Sequence, residues 1–406
     1  MKRFIYQKYD YQIQRGNFKI SFVFKMEPEN IYFKPQLTVK NIPSRASSSE
    51  TRLENLIFHL GLMEIPTYWK AACAPKIIVE AGYLNAEQTR WWQSLIFKGM
   101  GQFFYENNLA WQAPKIISNK NLQVNSALSL SSGTGGYLVP VGGGKDSIVT
   151  LERLKKQRRK VNAFALNPTR AAKEVLKTAG IKKPMVAQRK IDPKLIELNQ
   201  KGYFNGHTPF TAVLSFLSVF CAVLFGYKNI AMSCEKSADE GNIKYRGRRV
   251  NHQWSKSSEF EKMFKSYCQK YLVKDINYFS FLRKYTELEI AQMFAQHPKY
   301  FPVFSSCNRV AAKKLKRRWC GRCAKCLFVY TALYPYLEKK QLLKIFGKDL
   351  FEDRKLLPLM KSLIGQGKSK PFECVGTYQE SRTAFKLSLK KAQRTGKIPY
   401  LLTKIK

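Results

Sequence analysis

A short apolar run at 137–141 (YLVPV) leads directly into Gly142, Gly143, Gly144, Lys145, Asp146 and Ser147, and a helical pattern follows at 148–156. No other stretch of the chain limits the fold so narrowly. Three glycines allow a tight turn that points backbone N–H groups inward. A helix N-terminus placed behind them adds the positive end of its dipole. Lys145 brings a compact positive charge, Ser147 a hydroxyl, and Asp146 a carboxylate able to hold Mg2+. The pattern predicts a strand–loop–helix unit that cradles a pyrophosphate. Its spacing is neither G-x-x-x-x-G-K-[ST] nor G-x-G-x-x-G, which excludes the Walker loop and the dinucleotide fingerprint.

The flanking sequence continues the alternation. Strand patterns at 161–166, 185–187 and 229–233 are separated by helical ones at 171–179 and 210–226, and a long helix is expected over 257–273. Strands alternating with helices make this an α/β protein with a parallel sheet covered on both faces. The segment 210–226 (FTAVLSFLSVFCAVLFG) sits at the lower length limit for a membrane span. With Thr208 as N-cap and Pro209 in the first helical position, it reads as a buried core helix. The N-terminus is basic but no apolar h-region follows, so a cytoplasmic protein is expected.

The 406 residues divide into three parts. Residues 1–130 read as an N-terminal α+β capping domain. It has strands at 18–23 and 31–37, the second demoted to an edge by Pro35. Helices are expected at 53–61 and 88–107, and a linker at 41–51. Residues 131–300 carry the phosphate loop, entered through a Ser/Gly-rich stretch at 129–136. Residues 301–406 hold a cysteine cluster, an apolar helix at 327–337 and a basic tail from 382 onward that has no acidic residue. That tail reads as a solvated helix face or as an arm for phosphate. An apolar fraction of 45% excludes global disorder. The 71 Lys+Arg against 28 Asp+Glu give a net charge of +43, which asks for an anionic partner without choosing one.

Cys307, Cys320, Cys323 and Cys326 follow the spacing C-x12-C-x2-C-x2-C. Four thiolates complete a tetrahedral Zn2+ site, and a closed site of that kind is structural. The basic run at 313–318 (KKLKRR) lies inside this cysteine loop and reads equally as solvated surface or as a face for an anion. Three polar strings complete the chemistry. NGHTP carries His207 ahead of the buried helix. EKSADEGN, with Glu235, Asp239 and Glu240, follows a strand's C-terminal end, where open α/β sheets bind ligands. NHQWSKS carries His252 and Lys256 just before a helix. Either histidine is a candidate acid or base near neutral pH.

GGGKDS resembles the PP-loop of the N-type ATP pyrophosphatase superfamily, usually S-G-G-x-D-S, with Gly142 where that pattern has Ser. That resemblance implies a Rossmann-like domain with a five-stranded parallel sheet, cleavage of ATP to AMP and pyrophosphate, and Asn167 near the adenine. Taken together, VGGGKDSIVTLE, NGHTPFTAVLS, VNHQWSKSSEFE, WCGRCAKCLFV and KPFECVGT are similar to the UDP-N-acetylmuramoyl-L-alanyl-L-glutamate epimerase family. LIFHLGLMEIPTYWK and KGMGQFFYENNL fit the same family. The resemblance covers residues 53–384. It implies ATP-dependent epimerisation of the terminal L-Glu of UDP-MurNAc-L-Ala-L-Glu in peptidoglycan precursor synthesis, with Mg2+ as the ATP-bound ion. Under it Gly142 to Ser147 hold pyrophosphate. Asp146, Glu235 and Asp239 hold Mg2+, and Lys256 faces the α-phosphate. His252, His207, Glu240 and Cys374 are the proton-transfer candidates. The alternative is a PP-loop enzyme of tRNA modification or the deazapurine pathway that adenylates its substrate. The +43 charge suits RNA, but no RNA-binding module is visible, which disfavours nucleic acid as partner.

Overall fold

A computed structural model describes residues 2–44, 50–119, 127–130, 134–313 and 317–405. The expected linker at 41–51, the Ser/Gly-rich entry at 129–136 and the basic run at 313–318 each lie partly outside the described residues. The protein is mixed α/β and falls into two compact units, each assembled from three separated stretches of chain.

The first unit comprises Met1–Leu138, Met185–Ile230 and Lys244–Phe279. It starts with a long antiparallel hairpin of strands Arg3–Gln14 and Asn17–Glu27. Arg15 and Gly16 join them, both with positive φ (49° and 69°). A two-residue hairpin loop needs that conformation to match the twist of its strands. The six strands Met185–Lys190, Gln36–Val39, Asn17–Glu27, Arg3–Gln14, Lys76–Val79 and Lys115–Ser118 lie side by side in that order. Pairings along this path are antiparallel except where Lys76–Val79 meets its two neighbours in parallel.

Pro35 acts differently from the expectation. It splits the run at 31–37 into two strands, Ile31–Phe33 and Gln36–Val39. The second is paired on both sides and is no edge, because the proline falls between the ladders and only its carbonyl is used, accepting from the Phe22 N–H at 3.1 Å.

Helix Phe210–Phe225 is a buried core helix, as its composition implies. It packs on helix Glu50–Trp69, and Phe220 meets Phe18 edge-on at 5.4 Å between ring centres. Thr208 does not cap it. Pro209 occupies the N-cap position, and the Thr208 carbonyl, not its hydroxyl, accepts the Phe210 N–H at 2.7 Å. Among the described residues no helix is long and apolar enough to cross a membrane. The helix expected over 257–273 is regular over Ser258–Tyr267, with Ser257 as N-cap, and then widens into a π-turn at Cys268–Leu272.

The second unit comprises Val139–Pro184, Ala231–Ile243 and Ser280–Lys406. Val141 donates to Phe164 on strand Val161–Leu166 at 2.8 Å, so the chain enters the glycine turn from a strand. Helix Lys145–Lys156 follows at once. Helix Ala324–Leu333 packs against Glu287–Ala295 and Tyr378–Arg394. The last of these begins with a capping box of Thr377 and Glu380. Part of the basic tail is used here for helix ends: Arg382 donates to the Ile364 carbonyl, and Lys391 to those of Tyr334 and Leu337.

Candidate active site

The glycine turn is built for close approach. Gly143 has φ 96°, and a Cβ on it would lie 2.7 Å from the Ala172 nitrogen and 2.9 Å from the Ala171 carbonyl carbon. The turn therefore rests directly on the start of helix Arg170–Thr178. Its Gly143 carbonyl accepts from the Ser305 N–H at 2.9 Å. A Cβ on Gly142 would meet nothing within 4 Å, so steric exclusion does not explain the missing serine there. Gly144 is the N-cap of helix Lys145–Lys156 and makes no side-chain cap. The first-turn N–H groups are thus left for an anion. Ser147 turns its hydroxyl back to the Gly144 carbonyl at 3.1 Å.

Lys145 does not point into solvent. Its ammonium is fully buried and clasped between the carboxylates of Asp146 and Glu287. Burial alone would depress its pKa, but the two carboxylates override that and hold it above the ordinary lysine value. Burial pushes the Glu287 carboxyl up to about 7 against the pull of Lys145, with Asp146 and Glu235 raising it further and Lys325 lowering it. Lys145, Asp146, Glu235, Glu287 and Lys325 thus form one electrostatic cluster. Glu287 opens helix Glu287–Ala295, and its N–H is taken by Glu380 at 2.9 Å. Glu235 and Glu287 each keep one buried carboxylate oxygen without a hydrogen-bond partner. Orphaned acid oxygens are groups that a divalent cation satisfies, but among the described residues three or more candidate metal ligands converge at the four cysteines and not at these acids. Asp239 is exposed. Glu240 accepts from the buried Lys370 at 3.0 Å and from the Tyr378 N–H at 3.1 Å. Cys374 is half-buried, and its carbonyl accepts from the Lys325 ammonium. Asn167, just past the second strand, has φ 44°.

The four cysteines converge. All four sulfurs lie within 4.8 Å of one another and are buried, with Cys323 and Cys326 at 3.5 Å and Cys320 and Cys326 at 3.6 Å. Four thiolates around a tetrahedral Zn2+ stand about 3.8 Å apart. The geometry fits such an ion, and with four protein ligands it has no open position for chemistry. Cys323 is also the N-cap of helix Ala324–Leu333.

His207 and His252 belong to the first unit and meet each other there, with ring centres 4.6 Å apart. Glu106 accepts from the Gln102 amide nitrogen at 2.7 Å, which turns the amide oxygen toward His252 Nδ1 at 2.5 Å. That network assigns a proton to Nδ1. Burial first, then the charges of His252 and Lys70, push His207 down to about 3. Lys70 holds the His207 loop, donating to Asn205 Oδ1 and the Gly206 carbonyl, both at 2.8 Å. Burial, aided by Arg189, pushes Lys70 down to about 8. Lys256 sits in the short 3-10 turn Trp254–Lys256 of the same unit.

Sequence reasoning passed over Glu287, Lys325, Lys370, Lys70, Gln102 and Glu106. Glu287 lies in T-E-L-E, where the capping-box pattern offers the one local signal. That signal marks a helix start and says nothing of a buried acid.

The chain thus combines a mixed α/β fold, a glycine turn running into a helix whose first lysine is buried between acids, and four converging thiols able to hold a metal ion. Comparison with known proteins narrows this. Residues 1–281 match the MurL N-terminal domain and residues 303–402 the MurL C-terminal domain. A UDP-N-acetyl-alpha-D-muramoyl-L-alanyl-L-glutamate epimerase of Xanthomonas oryzae pv. oryzae is 33% identical over 94% of this chain and 84% of its own length. Proteins of the same name from a Micromonospora species (37% identical, 79% of this chain and 72% of its own length) and Salinispora tropica (33%, 95% and 85%) are also similar. The chain belongs to the MurL epimerase family.

Proposed function

We propose that this protein converts the terminal L-Glu of UDP-MurNAc-L-Ala-L-Glu to D-Glu with ATP, in the cytoplasmic synthesis of peptidoglycan precursor. The family supports the substrate. The observation that carries ATP chemistry is the buried Lys145 at an uncapped helix N-terminus, paired with Asp146 and with Glu287, which keeps one orphaned oxygen. The reading places the chain in the PP-loop superfamily, with its five-stranded parallel sheet.

The chemistry follows from charge. An α-carboxylate resists loss of its own Cα proton, because a second negative charge would develop beside the first. In the proposed sequence a carboxylate oxygen attacks the α-phosphorus of ATP, the bond to the bridging oxygen breaks, and pyrophosphate leaves. The mixed anhydride no longer carries the carboxylate charge, so its Cα–H is far more acidic. A base removes that proton, the enolate is reprotonated on the opposite face, and water cleaves the acyl–phosphate bond to release UDP-MurNAc-L-Ala-D-Glu and AMP.

Gly142, Gly143, Gly144, Lys145 and Ser147 bind the phosphates that leave, and Asn167 lies by the adenine. Asp146 with Glu235 and Asp239 would hold Mg2+, which when bound neutralises phosphate oxygens; Glu287 joins this set on its orphaned oxygen. Lys256 meets α-phosphate charge. His252 is the preferred base, and His207, Glu240 and Cys374 remain candidates, joined by Lys70. Glu240 is the weakest, since Lys370 already engages it. Zn2+ at the four cysteines is structural. The three-part division at 130 and 300 is kept as a proposal of roles: capping, phosphate chemistry and metal-stapled support.

The test is chiral analysis of glutamate after incubation with UDP-MurNAc-L-Ala-L-Glu, ATP and Mg2+. D-Glu that requires ATP and disappears in Lys145→Ala is expected. Cleavage of ATP to AMP without any D-Glu would overturn the substrate.

A further inference from the structure

We infer that the cleft lined by Trp319 and Lys344 in the second unit is the subsite for the nucleoside diphosphate end of a sugar-nucleotide substrate. The inference rests on the epimerase reading and deepens it. The cleft has a volume of about 520 Å³, within the range of small-molecule sites. Phe301, Trp319 and Phe346 line it together with four cations, Arg317, Arg318, Lys344 and Lys348, and no acidic side chain. Arg318 is paired with Glu174 and Lys348 with Asp353. Among the described residues Arg317 and Lys344 have no ion pair. Two uncompensated cations match a diphosphate.

Trp319 supplies an independent sign. It is 3% exposed, and its indole N–H has no acceptor. A buried donor without a partner is costly, and a carbonyl or phosphate oxygen in the cleft would satisfy it.

The cleft is also tied to the glycine turn. Ser305 donates its N–H to the Gly143 carbonyl at 2.9 Å and its hydroxyl to the Arg318 carbonyl at 2.7 Å. Pro302, which lines the cleft, is three residues from Ser305, so their Cα atoms are no more than about 11 Å apart. A diphosphate in the cleft therefore lies within one substrate length of the turn proposed to hold pyrophosphate. A continuous polynucleotide would instead need a charged stripe.

Calorimetric titration of the zinc-loaded full chain with UDP, and separately with ADP, tests this. UDP is expected to bind, and the double reversal Arg317→Glu/Lys344→Glu to weaken it at least tenfold. Trp319→Phe, which keeps the ring and deletes the donor, should weaken it about threefold to tenfold. In turnover the loss should appear in KM for UDP-MurNAc-L-Ala-L-Glu and leave KM for ATP in place. Zinc content and Tm report folding of each variant. UDP affinity unchanged by the double reversal overturns the subsite. So does ADP competing equally with UDP, which would assign the cleft to ATP, or charge-sensitive binding of tRNA that UDP fails to displace. D-Glu formed with unaltered KM in the double variant would remove the subsite and leave the epimerase reading standing. UDP binding lost on charge reversal, in a protein that makes no D-Glu, would do the opposite.

Discussion

In the unit that carries Lys145, buried groups are charged and face one another: one ammonium lies between two carboxylates, and Lys370 meets Glu240. In the unit that carries His207 and His252, the buried histidines His59 and His207 are held neutral, and the buried ion pair Arg189–Glu64 stands apart as a paired charge. His207 is pushed down to about 3 and His59 to about 4, chiefly by burial, and His59 is held by the Asn55 carbonyl and the Tyr267 hydroxyl. The first arrangement stores opposed charge that an incoming phosphate or cation can redistribute. The second keeps imidazole lone pairs available at neutral pH. Adenylation needs the former kind of site and proton transfer the latter.

Removing a charge where charges oppose should have the largest effect. Lys145→Met leaves the buried Glu287 and the half-buried Asp146 without a cation, and a loss of about 3–5 kcal/mol is expected in denaturant unfolding. D-Glu formation should fall at least 10²–10³-fold, on the scale of losing a donor to a developing charge. The double variant Lys145→Met/Glu287→Gln should regain much of the stability and none of the activity. Recovery of both would mean that Lys145 is structural only.

Next comes the shape of the turn. Gly143→Ala forces a Cβ against the Ala172 nitrogen at positive φ, at a cost of about 2–4 kcal/mol. Thermal unfolding with and without ATP would read it; an unchanged Tm would show that the turn is not seated on helix Arg170–Thr178.

The neutral histidines predict a pH slope. The folded pKa of His59 lies below the unfolded value of about 6.5, so the unfolded chain binds more protons between them. Stability is full above pH 6.5 and falls as pH drops toward 4, by about 1.4 kcal/mol per unit for this fully buried group. His207 adds in the same direction. Denaturation midpoints at pH 7 and pH 5 measure this, and His59→Gln should flatten the slope. A flat profile in the native protein would remove the contrast between the units.

The smallest effect belongs to Gly142→Ser. Its Cβ would meet open space, so stability should stay within about 0.5 kcal/mol, with ATP affinity equal or improved.

What the sequence made legible was local. The strand, three glycines and helix around Lys145, the cysteine spacing and the buried helix at 210–225 all rest on neighbours within a few residues. The N-terminal hairpin went unread because its turn is Arg-Gly, a weaker signal than Asn-Gly, and its first strand is interrupted by three glutamines, Lys8 and Asp10. The N-cap at Thr208 was misjudged because its backbone carbonyl took the amide first. Glu287 stayed hidden for a different reason. It lies 142 residues from Lys145, and no periodicity or motif links an acid to a lysine across that distance.

The same separation governs how the protein is made. Lys145 leaves the ribosome long before Glu287 exists, roughly 7–30 s at 5–20 residues per second. The unit that begins at Val139 also needs residues from 280 onward. The glycine turn therefore emerges early and waits, solvated, while much of the other unit is synthesised ahead of its partners. Its ammonium enters the interior only when both carboxylates can follow. A truncation ending before residue 287 would present a turn that reads correctly in sequence and has no reason to close.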